Sequence, residues 1–271
     1  MEGDMLDLGK KNVLGVMINA IDYDATLDRI FAAARDRRPT TVSALAVHGV
    51  MTGVLDNEQR FRLNHFDLLV PDGQPVRWVL NLLHSTRLSD RVRGPSLTRM
   101  VCARAGEDGV PIYLYGGTPE ILDQLRRRLA VDHPKLRIAG YEPSKFRRLT
   151  PEEKSELTER IRSSGAAILL VGLGCPRQET FAYEFRNHLS IPILAIGAAF
   201  PFLAGLSKEA PAWMGRAGLE WLFRLLSEPQ RLWRRYLYLN PAYLALVALQ
   251  AIGISRFPSE GKLPKTESLF G

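Results

Sequence analysis

Leu69-Val70-Pro71-Asp72-Gly73-Gln74-Pro75 decides the fold: a carboxylate follows an apolar run and sits between two prolines, beside a glycine. Leu68, Leu69 and Val70 read as a short buried strand that Pro71 and Gly73 terminate. Asp72 is thereby predicted on a loop at the C-terminal end of a strand, the edge of an open α/β sheet where ligands bind. Pro75 fits the first turn of the next helix, with Val76, Val79, Leu80 and Leu83 periodic behind it. Pro-Asp-Gly is also an ordinary turn and Asp an ordinary helix cap. Support for a chemical role of Asp72 must come from the rest of the chain.

Upstream, Val13 to Ile18 predicts a first strand and Ala25 to Arg35 a helix with Leu27, Ile30, Phe31 and Ala34 on one face. Thr40 to Val47 reads as a buried strand ending at His48-Gly49, followed by a helical region from Val50 to Leu63. Strand ends at His48 and Asp72 are therefore expected to converge. Downstream, a helix over Ser96 to Ala105 precedes a strand, Pro111 to Tyr115, which runs into Gly116-Gly117-Thr118-Pro119 and a helix from Glu120 to Ala130. The pattern continues with the strand Leu136 to Tyr141 and the helix Pro151 to Arg162, capped by Thr150. An apolar strand, Ala167 to Val171, enters Gly172-Leu173-Gly174-Cys175-Pro176-Arg177-Gln178-Glu179, and a last strand, Pro192 to Ile196, ends at Gly197. Buried strands alternating with amphipathic helices predict an α/β fold, Rossmann-like, with a mostly parallel sheet flanked by helices.

The chain's 271 residues, 46% of them apolar, suffice for one large α/β domain with an appendage. Its formal charge of +7 favours anionic partners, and the excess is local: Trp213 to Arg256 carries six arginines against two glutamates, net +4 in 44 residues. Cys102 and Cys175 are the only cysteines, which excludes a disulfide scaffold and fits a reducing compartment. Met1 to Lys11 reads as no export signal. Pro241 to Ile254 is nearly uncharged and apolar, but its 14 residues fall short of the about 20 that a membrane span needs. The predicted organisation is a Rossmann-like α/β domain over 1–212, an arginine- and aromatic-rich helical appendage over 213–254, and a disordered tail over 255–271.

Three constellations bear on chemistry. Gly116-Gly117 and Gly172-x-Gly174 are strand-to-helix glycine turns of the kind that frees backbone N–H groups for phosphate. The dinucleotide pattern fails, because Arg177 stands where its third glycine would be, and Gln178-Glu179 suits hydrogen bonding to a base or sugar better than hydride chemistry. On a continuous helix, Arg224, Arg231 and Arg235 fall within about 40° of one another, with Arg234 beside them, an arrangement that can grip a diphosphate. Trp221, Phe223, Trp233, Tyr236, Tyr238 and Tyr243 among these arginines suit a helix in a membrane interface. The five histidines, His48, His65, His84, His133 and His188, show no metal-ligand spacing, so no metal is expected.

Taken together, these residues resemble the WecG/TagA/CpsF family of bacterial glycosyltransferases, from Val13 to Leu239. The resemblance is carried by Pro71-Asp72-Gly73, Tyr113-Leu114-Tyr115-Gly116-Gly117, Val171 to Glu179, Gly197-Ala198-Ala199-Phe200, Ala210-Pro211-x-Trp213, Gly218 to Arg224, Glu228-Pro229-x-Arg231 and Arg234-Arg235-Tyr236. It implies transfer of a sugar, an N-acetylmannosamine type or a uronic acid, from a UDP-sugar donor to a polyprenyl-diphosphate-linked acceptor on the cytoplasmic, inner leaflet of the bacterial inner membrane. Asp72 would be the general base, with Arg224, Arg231 and Arg234 over the site. Gln178 would help hold the nucleotide. Beside the resemblance, the glycine turns Gly116, Gly117, Gly172 and Gly174, together with His48 and Gln74, are further candidates to bind substrate. No cofactor and no nucleic-acid partner is expected, and a homo-oligomer is compatible with the sequence.

The chain also departs from the family pattern. Ala44-Leu45-Ala46 stands for Thr-x-Asn, Pro201 for an Asp, and Lys208-Glu209 for an Arg before Ala-Pro. His48, Gln74 and Arg77 are candidates to compensate. These losses keep open a non-catalytic sugar-nucleotide-binding scaffold as the alternative.

Overall fold

The computed structural model describes residues 5–271, with the side chains of Ala212 and Arg231 outside the described set. The chain opens with an antiparallel hairpin, β1 (Asp7–Val13) and β2 (Val16–Ile21). Leu14 and Gly15 connect them, both at positive φ, 53° and 85°, as a two-residue hairpin turn requires. The single strand predicted from Val13 to Ile18 is thus corrected: the turn falls inside it. Leu14 gives no turn signal, and its fully buried side chain reads as strand.

Then follow α1 (Tyr23–Arg35), β3 (Thr40–Leu45), α2 (Val47–Leu55), α3 (Asn57–Asn64), β4 (Leu68–Pro71), α4 (Gln74–His84), α5 (Gly94–Glu107), β5 (Ile112–Gly116), α6 (Pro119–Asp132) and β6 (Ile138–Glu142). The second half comprises α7 (Pro151–Ser163), β7 (Ile168–Gly172), α8 (Arg177–Phe185), β8 (Pro192–Ala195) and α9 (Ala199–Leu203), then α10 (Ala212–Arg216), α11 (Glu220–Ser227) and α12 (Pro229–Ala251). Thr150 caps α7 through a reciprocal box with Glu153. β3 stops at Leu45, so His48 lies in the first turn of α2 rather than at a strand end. The apolar run from Val42 to Val50 carries no pattern that separates a buried strand from a buried helix.

Six strands form one parallel sheet in the order β4-β3-β8-β7-β5-β6. Successive residues of a strand face opposite sides, which divides the core in two. Leu69, Leu169 and Val171 pack with the hairpin, α2, α3, α4 and α8. Leu68, Val70, Ile168 and Leu170 pack with α1, α5, α6 and α9. All six C-terminal strand ends point the same way, and β3, β8 and β7 hold the middle, where chain order breaks. Such a break opens a crevice.

α12 is 23 residues long, about 34 Å, and runs from that crevice to the hairpin. Leu232, Tyr243 and Val247 are buried, and the Gln250 amide accepts from the Leu14 N–H at 3.0 Å. Beyond it, residues 255–271 were expected to be disordered but are laid along the body. Asn64 donates to the Ser259 carbonyl, Glu184 accepts from the Ser268 and Leu269 N–H groups, and Lys154 pairs with Glu267. Polar partners hold most of the strap, with only Phe257 and Leu269 packed against the core, so its composition reads as tail. Among the described residues no helix is long and apolar enough to cross a membrane.

Candidate active site

Asp72 follows β4 directly, and its backbone N–H donates to the Leu45 carbonyl at 3.1 Å. Its Oδ1 accepts from the Gly94 N–H at 3.0 Å. Burial, and secondarily the Glu220 carboxylate, push its pKa above the usual carboxylate range, against the pull of Arg91, the Gly94 N–H and Arg93. The loop predicted from sequence thus holds a partly buried carboxylate of raised basicity, unlike a solvated turn.

Three cavities meet here. The first, about 410 Å³, lies over the ends of β3, β5, β7 and β8 and is lined by Gly117, Gly172, Gly174, Gln178 and Asp72 among others. A vestibule of about 90 Å³ shares Ala46, Asp72, Arg224 and Arg235 with it and adds His48, Gln74, Arg91 and Glu220. An apolar groove of about 670 Å³, between α4 and α11–α12, shares Val47, Pro75, Gly218, Trp221, Tyr236 and Asn240 with the vestibule. Asp72 stands where the large cavity opens into the vestibule.

Gly116 does not line the large cavity; it lets β5 and β7 close up. At φ 110°, a Cβ there would lie 2.8 Å from the Gly172 carbonyl, an approach only glycine permits. Gln178 has one hydrogen bond on each side of its amide, accepting from the Gly174 N–H at 3.1 Å and donating to Glu179 at 2.8 Å. Each amide atom keeps a further position for a ligand. Glu179, fully buried, also accepts from Ser43, and burial pushes its pKa up despite Gln178 and Ser43. Phe146, an exposed aromatic at φ 54°, stands on the cavity's rim. Its loop is tied to the chain end by the Ser144 hydroxyl donating to the Gly271 carbonyl.

The arginines sort differently from expectation. Arg224 lines the large cavity and the vestibule, its guanidinium 5.8 Å from the Phe202 ring and its buried Nε without a hydrogen-bond partner among the described residues. Arg234 is exposed and turned away, over the Trp233 ring at 5.2 Å, while Arg235 lines both spaces. Successive helical residues are 100° apart, so only one of the pair can face in. The Arg231 side chain lies outside the described residues.

His48 reaches the vestibule from α2; burial and then the Arg235 charge lower its pKa to about 4, so its ring is neutral near pH 7. Gln74 is buried there, accepting from Arg77 at 2.8 Å. Arg77 itself clamps the Leu88 and Ser89 carbonyls and lines none of the three cavities, so it supplies no compensation. Ala44, Ala46 and Pro201 all line the large cavity, whereas Lys208 and Glu209 line none of the three. Sequence reasoning missed Glu220, whose carboxylate bridges Arg91 and Arg93, because its partners lie on a loop more than a hundred residues earlier.

Among the described residues no cluster of histidine, cysteine or carboxylate side chains is arranged to hold a metal. The cationic groups at the crevice are arginines. A family model described as "Glycosyl transferase WecG/TagA/CpsF family" matches residues 11–256.

Proposed function

The chain belongs to the WecG/TagA/CpsF family of glycosyltransferases, and from that premise we propose that it moves a sugar from a UDP-sugar to a polyprenyl-diphosphate-linked acceptor, with inversion, at the inner leaflet of the bacterial inner membrane. The observation that carries this reading is the chain of cavities: a backbone-lined space, a vestibule containing a carboxylate, and an apolar groove, each sharing wall residues with the next.

The donor nucleotide occupies the large cavity, with Gly117, Gly172, Gly174 and Gln178 around it. The acceptor sugar enters the vestibule, and its prenyl chain lies in the groove among Trp78, Leu82, Leu225 and Leu244. Asp72 takes the proton of the attacking acceptor hydroxyl as the new glycosidic bond forms and the bond to UDP breaks. Arg224 and Arg235 stabilise the charge that develops on the departing diphosphate. Positive charge is thus supplied by side chains, and transfer is expected to persist in chelator. Exposed Trp213, Trp233, Leu237, Tyr238 and Ile254 provide membrane contact.

UDP release and glycan product, measured over a panel of UDP-sugars with a prenyl-diphosphate-linked sugar acceptor, test the reading. Product with at least one donor is expected. The apolar wall of Ala44, Ala46 and Pro201 favours a second reading, a sugar-nucleotide-binding scaffold, which predicts donor binding without turnover across the panel.

A further inference from the structure

Glu220 opens α11 and so belongs to the C-terminal appendage, whereas Asp72, Arg91 and Arg93 belong to the α/β body. Its two oxygens take one guanidinium each: Oε2 lies 2.5 Å from Arg91 and Oε1 3.0 Å from Arg93. Arg93 also approaches Glu209 at 3.6 Å. Arg91 is buried, and it lines the vestibule together with Asp72 and Glu220. Neither Arg91 nor Arg93 forms an ion pair with Asp72, although both act on it.

Guanidiniums beside a partly buried carboxylate pair with it unless a competitor holds them. A carboxylate paired with arginine is a weak base, because an opposite charge at about 4–6 Å lowers its pKa by roughly 1–3 units. Glu220 is that competitor, and it arrives on a different part of the chain. We propose that Glu220 is a positioning residue which, by holding Arg91 and Arg93, keeps them off Asp72, so that the base is competent only when the appendage is docked. The proposal rests on the reading of Asp72 as base.

The groups facing Asp72 come from several elements: Tyr23 from α1, His48 from α2, Arg91 and Arg93 from the loop after α4, Arg224 and Glu220 from α11, and Arg235 from α12. His48 is neutral above about 4 and burial raises the Tyr23 pKa, so both are uncharged near pH 7. Among the charged groups that act most on Asp72, Glu220 raises its pKa, while Arg91 and Arg93 lower it. Removing Glu220 therefore takes away a negative neighbour and releases Arg91, while Arg93 keeps only its longer contact with Glu209.

The test is a carbon-detected NMR titration of the full chain labelled at aspartate carboxyls, with the Asp72 signal assigned by its loss in Asp72→Asn. Glu220→Gln is expected to lower the Asp72 midpoint by about one pH unit. Adding Arg91→Met to that variant should raise it again, and Glu220→Asp should retain the wild-type midpoint. An unchanged or higher midpoint in Glu220→Gln overturns the proposal. So does a double variant as low as Glu220→Gln, since Glu220 would then act only by covering the site. Wild-type sugar transfer by Asp72→Asn would instead overturn the base role itself, whatever the titration gives.

Discussion

The two sides of the crevice are built from different materials. The large cavity is walled by strand ends and small residues, its backbone held by the ladder between β5, β7 and β8. The opposite wall consists of long side chains on α11 and α12, held to the body by Glu220 on two arginines, Gly218 against the Trp78 ring and Tyr243 in the core. A backbone wall exists once the sheet forms, whereas a side-chain wall exists only while its helices are docked. Donor binding and turnover should therefore be separable.

The largest effect expected on the appendage side comes from replacing Arg224 and Arg235 together by Met, which should lower transfer by about 10²- to 10³-fold with UDP affinity less affected. Arg234→Met should stay within a few-fold of wild type, and an equal loss there would break the assignment of which arginines face in. On the other side, Gly116→Val forces a side chain into the Gly172 carbonyl. It should cost about 1–3 kcal/mol and weaken UDP binding measured by calorimetry. Deleting 266–271 removes the hydrogen bonds from Ser268, Leu269 and Gly271 that hold the 143–149 loop and α8. A melting temperature lower by about 2–8 °C and a raised KM for the donor are expected, with membrane binding unchanged.

A further effect, on pH dependence, belongs to His48. Its pKa is lowered from 6.5 to about 4 in the fold, so the unfolded chain takes up the proton first as pH falls. Its contribution to stability is present above pH 6.5 and is lost progressively toward pH 4. Chemical denaturation at pH 7 and pH 4.5 should show that loss reduced in His48→Gln.

The difference between the two walls also explains what the sequence made legible. Apolar runs ended by glycine or proline revealed β4, β5 and β7, and with them Asp72 and the Gly172–Gln178 loop, because strand ends and their loops are local in sequence. The hairpin turn stayed hidden behind the apolar Leu14. Arg234 was placed at the site and Arg235 only on the helix face, because Pro229 restarts the helix and its phase is set by how α12 docks on α2. Glu220 carries no local signal, since its partners come from a distant loop. The strap over 255–271 is held by polar contacts that composition does not reveal.

The base role proposed for Asp72, where donor and acceptor spaces meet, is decided by measuring UDP affinity and sugar transfer on the same preparation of Asp72→Asn. UDP binding within a few-fold of wild type is expected, with transfer reduced by about 10²-fold or more; near-normal transfer in that variant would remove Asp72 from the role of base.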